Sequence, residues 1–84
     1  MPKDSKTISV RYFAILREES QKSDEEIATA AATVRALYQE LKERYHFSLP
    51  LEHLKVAVND TVQSWDTPLN DRDSVVFLPP VSGG

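Results

Sequence analysis

Between residues 7 and 13 apolar and polar side chains alternate, with Ile8, Val10 and Tyr12 on one parity and Ser9, Arg11 and Phe13 on the other. Period-two alternation among β-branched and aromatic residues predicts a strand. Residues 14–19 fit a short helical turn, 20–25 a polar loop, and 26–31 a weaker strand returning antiparallel to the first. The period then changes. Val34, Leu37, Tyr38, Leu41 and Tyr45 recur along one helical face, behind Thr33 as an N-cap and ahead of Pro50 as a stop. A helix ending near Tyr45 or His46 follows, with Arg35, Gln39, Glu40, Lys42 and Glu43 on its outer side.

Alternation resumes over residues 54–59, which would turn Val56 and Val58 inward, and Asn59-Asp60 supplies a turn pair before a short return strand at 61–64. Residues 66–73 are dense in turn formers. Ser74, Val75, Val76, Phe77 and Leu78 are different, a nearly unbroken apolar run. Such a run suits a central strand covered on both faces, or one whose second face meets a partner. The pattern predicts one α+β domain over residues 1–84 with a β-grasp (ubiquitin-like) fold, a mixed sheet of four to five strands with one main helix on one face. A right-handed crossover sets the last strand parallel to the first, in the middle of the sheet. Residues 1–6 would be a flexible extension and 79–84 an extended tail.

Composition narrows the function. A chain of 84 residues has room for one core and little space for a deep substrate cavity beside it, which favours a binding or carrier module. A net charge of -3 leaves no basic footprint for nucleic acid, and no apolar stretch is long enough to span a bilayer. With no cysteine there is no disulfide, thiolate metal site or cysteine nucleophile, and these absences fit the cytosol. His46 and His53 have no companions at metal spacing, so no metal site is expected. Asp66, Asp71 and Asp73 read as turn chemistry, the run Asp24-Glu25-Glu26 as a solvated face, and Trp65 as a half-buried packing residue.

Glycine is the informative residue. Average usage of about 7% would give roughly six. This chain has two, Gly83 and Gly84, and both stand at its end. The lead-in is Pro79, Pro80, Val81 and Ser82. Two prolines favour a stiff, extended rise, and the four residues beyond them reach up to roughly 13 Å. Glycine lets a terminal carboxylate thread a narrow channel and leaves its carbonyl open to attack. A free carboxylate is a poor electrophile. Adenylation with ATP would supply a leaving group, and sulfur attack would then leave a thiocarboxylate, so Gly84 would be a substrate for machinery housed in partners.

Phe77-Leu78-Pro79-Pro80-Val81-Ser82-Gly83-Gly84 closely resembles the ending of the small, sulfur-carrying subunits of molybdopterin synthase. The resemblance extends to Arg11-Tyr12-Phe13-Ala14 with Arg17-Glu18, to Ala57-Val58-Asn59, and to Pro68-Leu69 with Asp71 and Asp73. Many relatives carry a glycine near the position of Arg72. The resemblance implies a β-grasp fold and a 1-thioglycine at Gly84. It further implies activation by a ubiquitin-activating-like adenylyltransferase that consumes ATP, with a sulfurtransferase as sulfur source. Tail residues Pro79, Pro80, Val81, Ser82 and Gly83 would enter the large, catalytic subunit, where sulfur passes to precursor Z to form the molybdopterin dithiolene. Family assemblies pair two large with two small subunits, and the small one binds no cofactor and is not catalytic alone. Related alternatives are a sulfur carrier for thiamine or tRNA thiolation and a ubiquitin-like modifier of lysines. By alternation Phe13, Val76 and Leu78, with Val62, should form a partner interface on the face opposite the helix.

Overall fold

The computed structural model describes residues 5–80. Its order is β1 (Lys6–Arg11), α1 (Ala14–Ser20), β2 (Asp24–Thr29), α2 (Val34–Tyr45), a single 3₁₀ turn (Leu51–His53), β3 (Lys55–Val58), β4 (Thr61–Gln63) and β5 (Ser74–Leu78). The five strands lie in the order β2-β1-β5-β3-β4. β1 and β5 are parallel and all other neighbours antiparallel, so the mixed sheet has its last strand at the centre. This is the predicted β-grasp arrangement.

One face of the sheet is dry. Ile8, Val10, Ile27, Val56, Val58, Val75 and Phe77 meet Val34, Leu37, Tyr38 and Leu41 of α2 in one core, joined by Leu16 of α1. Burying side chains of this size is worth about 1.5–3 kcal/mol each. Phe77 sits among aromatic rings, stacked on Trp65 at 6.0 Å and edge-on to Tyr38 at 5.2 Å. Burial pushes the Tyr38 hydroxyl up to about 12, with the Glu19 charge a smaller cause, and that hydroxyl donates to Leu49 O at 2.6 Å.

The α2 boundaries follow from its caps. The Thr33 hydroxyl accepts from Ala36 N at 3.2 Å, and the first-turn amides of Val34 and Arg35 donate to Thr67 O and Trp65 O. His46 closes the helix in the left-handed conformation, its N–H reaching Lys42 O. The loop after β4 thus caps α2, and Leu69 is buried beneath it.

Several boundaries differ from the sequence reading. β2 begins at Asp24, so the polar loop is shorter than expected, and Lys6 belongs to β1, paired with Thr29, rather than to a loose extension. α1 is a seven-residue helix rather than a single turn, and Gln21 ends it at φ 62°. Six non-glycine residues among those described have positive φ, namely Ala14, Gln21, His46, Asn59, Asp60 and Arg72. A domain without internal glycine turns its corners on residues that tolerate the left-handed region at some cost.

Candidate functional site

Strand β5 carries the chain into Pro79, and its position depends on polar clamps at its start. Asn59 and Asp60, at φ 52° and 72°, form the two-residue turn of the β3–β4 hairpin. Asn59 Oδ1 accepts from Ser74 N at 3.0 Å, and its Nδ2 donates to Asp73 Oδ1 at 3.0 Å. The second oxygen of Asp73 accepts from Asn70 N at 2.8 Å. Asp71 Oδ1 accepts from Thr7 N at 2.7 Å, and Arg72 N donates to Thr7 O at 2.8 Å. The turn before β5 is therefore tied both to β1 and to the β3–β4 hairpin. Asp71 and Asp73 do turn work, as expected, while Asp66 pairs with Arg35 at 3.1 Å. Among the described residues no three His, Asp or Glu side chains come together to hold a metal ion, and no helix is long and apolar enough to cross a membrane.

The sheet face away from α2 carries three of the predicted interface residues, Val62, Val76 and Leu78. Register sets Asp24, Arg11, Val76, Ala57 and Val62 in one row across all five strands. Leu78 lies one pleat further along β5, opposite Lys55. Phe13 stands two residues beyond Arg11, as Leu78 stands two beyond Val76 on the parallel neighbour. Phe13 is 40% exposed and Val62 61%, while Val76 and Leu78 are half-buried. The sequence reading missed Ile15, 37% exposed on α1. Ile15 lies in the seven-residue α1, too short for a helical period to mark which of its apolar residues stay exposed.

Where β5 ends, Pro79 is half-buried and Pro80 exposed. A concavity of about 640 Å³ opens beside them, lined by His53, Leu54, Lys55 and Leu78. The expected roles of Val81, Ser82, Gly83 and Gly84 fall outside the described residues.

The corner beneath Phe13 is held by a polar cluster. Tyr12 and Tyr45 both donate their hydroxyls to Glu25 Oε2 at 2.6 Å, and Lys22 Nζ reaches Glu25 Oε1 at 3.4 Å and the Tyr45 hydroxyl at 3.1 Å. Partial burial opposes the Glu25 charge, but the two tyrosine hydrogen bonds and the Lys22 ammonium outweigh it and hold the carboxyl below its ordinary range. Burial first, and then the Glu25 hydrogen bond and charge, push Tyr12 far up. Glu25 is thus part of the scaffold, whereas only its neighbours Asp24 and Glu26 are exposed as the solvated-face reading expected.

Comparison with known proteins bears on what such a face and tail serve. The chain is 41% identical over 80 residues to the molybdopterin synthase sulfur carrier subunit of Escherichia coli, covering 92% of this chain and 99% of that one. The solved complex of subunits 1 and 2 of the molybdopterin-converting factor from Helicobacter pylori contains a chain 30% identical, with a TM-score of 0.63, over 93% of this chain and 99% of that one. A Pyrococcus furiosus structure described as a molybdopterin converting factor subunit 1 is 32% identical, with a TM-score of 0.75, over 92% of this chain and 100% of that one. Residues 10–84 match the ThiS family, and with these likenesses over nearly its full length the chain belongs to that family.

Proposed function

We propose that this chain is the sulfur-carrier subunit of a molybdopterin synthase, inert alone and active as the substrate of its partners. The observation that carries the reading is the placement of β5. It is clamped at its start, paired on both sides and followed at once by Pro79 and Pro80, which border a concavity shared with Leu54 and Leu78. A rigid central strand is a suitable base from which to aim a terminal group into another protein. The 41% identity to a sulfur carrier, and the Helicobacter pylori chain found in a complex of subunits 1 and 2, support the same reading.

In this scheme the Gly84 carboxylate attacks the α-phosphate of ATP on an adenylyltransferase, releasing pyrophosphate. A sulfur nucleophile, supplied through a sulfurtransferase, then displaces AMP to leave a thiocarboxylate. Val81, Ser82 and Gly83 carry that group into the large subunit, where sulfur passes to precursor Z. Phe13, Val62, Val76 and Leu78 form the docking face, and the tail itself needs no metal or bound cofactor. The chemistry requires ATP, which suits the cytoplasm.

The test combines the chain with adenylyltransferase, ATP and a sulfur source and reads intact mass. Replacement of one terminal oxygen by sulfur, lost in a Gly84-deleted control, is expected. Adding the large subunit and precursor Z should then yield molybdopterin. Thiocarboxylate formation without molybdopterin would point instead to a sulfur carrier of another pathway. Lysine-linked adducts would point to a protein modifier.

A further inference from the structure

We infer that Ala14 is a positioning residue for partner docking, its left-handed backbone holding Phe13 out of the fold as a contact. The inference rests on the docking face proposed above and adds to it a residue that touches no partner. Tyr12 and Leu16, on either side of this corner, are 1% and 0% exposed. Tyr12 N donates to Ser23 O at 2.9 Å, and Phe13 O accepts from Leu16 N at 3.1 Å and Arg17 N at 3.4 Å. The chain is therefore pinned in the core at both ends of a three-residue arch. Within the arch, Phe13 is extended at φ -131° and ψ 155°, and Ala14 turns to φ 52°.

Two costs coincide here with no compensation in the core. An L-residue with a Cβ sits in the left-handed region, and the large apolar side chains flanking it, Phe13 and Ile15, remain 40% and 37% exposed. An extended or a right-handed Ala14 would send the chain in another direction between the buried Tyr12 and Leu16. Either would re-aim Phe13 relative to Leu78 on the parallel strand. The left-handed corner instead returns the chain to the core at Leu16 and leaves Phe13 outside. Glycine fits this φ freely, alanine tolerates it, and a β-branched residue there is a genuine outlier.

The experiment is a double-mutant cycle in the full chain, with affinity for the large synthase subunit read by titration calorimetry and folding by circular dichroism. Ala14→Gly should bind within roughly twofold of wild type, and Ala14→Val should bind at least about tenfold more weakly while folded. In a Phe13→Ala background, Ala14→Val should cost no more than roughly a further twofold, because the side chain it positions is already gone. If Ala14→Val does not fold, Ala14→Leu replaces it in the same cycle. Equal losses in both backgrounds, or full affinity of the folded Ala14→Val protein, would overturn the inference while leaving the sulfur-carrier reading standing. Failure of the wild-type chain to bind the large subunit would overturn both.

Discussion

Glu25 shows how much one side chain can bind together. Its carboxylate joins Tyr12 before α1, Tyr45 at the end of α2 and Lys22 in the intervening loop. Replacing it with alanine leaves the buried Tyr12 hydroxyl without its acceptor, a loss of about 1–3 kcal/mol readable in urea denaturation. The pH dependence has a definite sign. The folded carboxyl titrates below its unfolded counterpart, so its contribution is present above the ordinary glutamate value of about 4.3 and fades as pH falls through the folded value. The stability gap between wild type and Glu25→Gln should therefore narrow steadily below about pH 4. A gap that persists unchanged into strong acid would show that the charge plays no part. Arg72 makes a second residue-scale case. At φ 73° it occupies a glycine-like conformation, and its pairing with Asp71 at 3.8 Å is highly exposed. Such a pair contributes little, so Arg72→Gly should stabilise the fold by about 1 kcal/mol, seen as a higher melting temperature.

Among the elements, α2 and β5 were plainly legible in the sequence, and for physical reasons. Five apolar residues at helical spacing behind Thr33 leave little choice of boundary, and the apolar run ending at Leu78 belongs in the middle of a sheet. The corner around α1 was less legible. Its direction depends on Ala14 at φ 52° and Gln21 at φ 62°, and neither residue type advertises a left-handed backbone. The Glu25 cluster was invisible because Tyr12 and Tyr45 reach Glu25 from 13 and 20 residues away, Tyr45 only once α2 has packed. The shared face of Val76 and Leu78 could be read from alternation, whereas the exposure of Ile15 on α1 could not. At this scale Leu78→Glu is the informative change. Leu78 is half-buried on the open face, so the substituted chain should keep its circular dichroism spectrum and lose at least about tenfold in affinity for the large subunit. Phe77→Ala, one residue earlier and fully buried, should instead cost about 3–5 kcal/mol of stability.

For the whole molecule, the described residues hold a packed core, while the proposed chemistry lies at Gly84. Sixteen buried apolar residues among those described form one core, and every buried side-chain nitrogen or oxygen of the described residues has a hydrogen-bond partner. Deleting residues 81–84 should leave the melting temperature within about 1 °C of wild type, since ΔΔG near zero shifts it little. The same deletion should abolish mass gain by sulfur. A truncated chain that melts markedly earlier would show that the tail packs on the domain.

The central place of β5 also bears on how the chain folds. Without β5, β1–β2 and β3–β4 are two strand pairs with no strand hydrogen bonds between them. Isolated pairs of this kind are marginal in water. The sheet is continuous only with β5 between them, so a chain cut before Ser74 should lose cooperative folding, checked by circular dichroism on heating. The strand that completes the sheet is also the one that leads into Pro79, so an ordered sheet and a positioned proline pair come together or not at all.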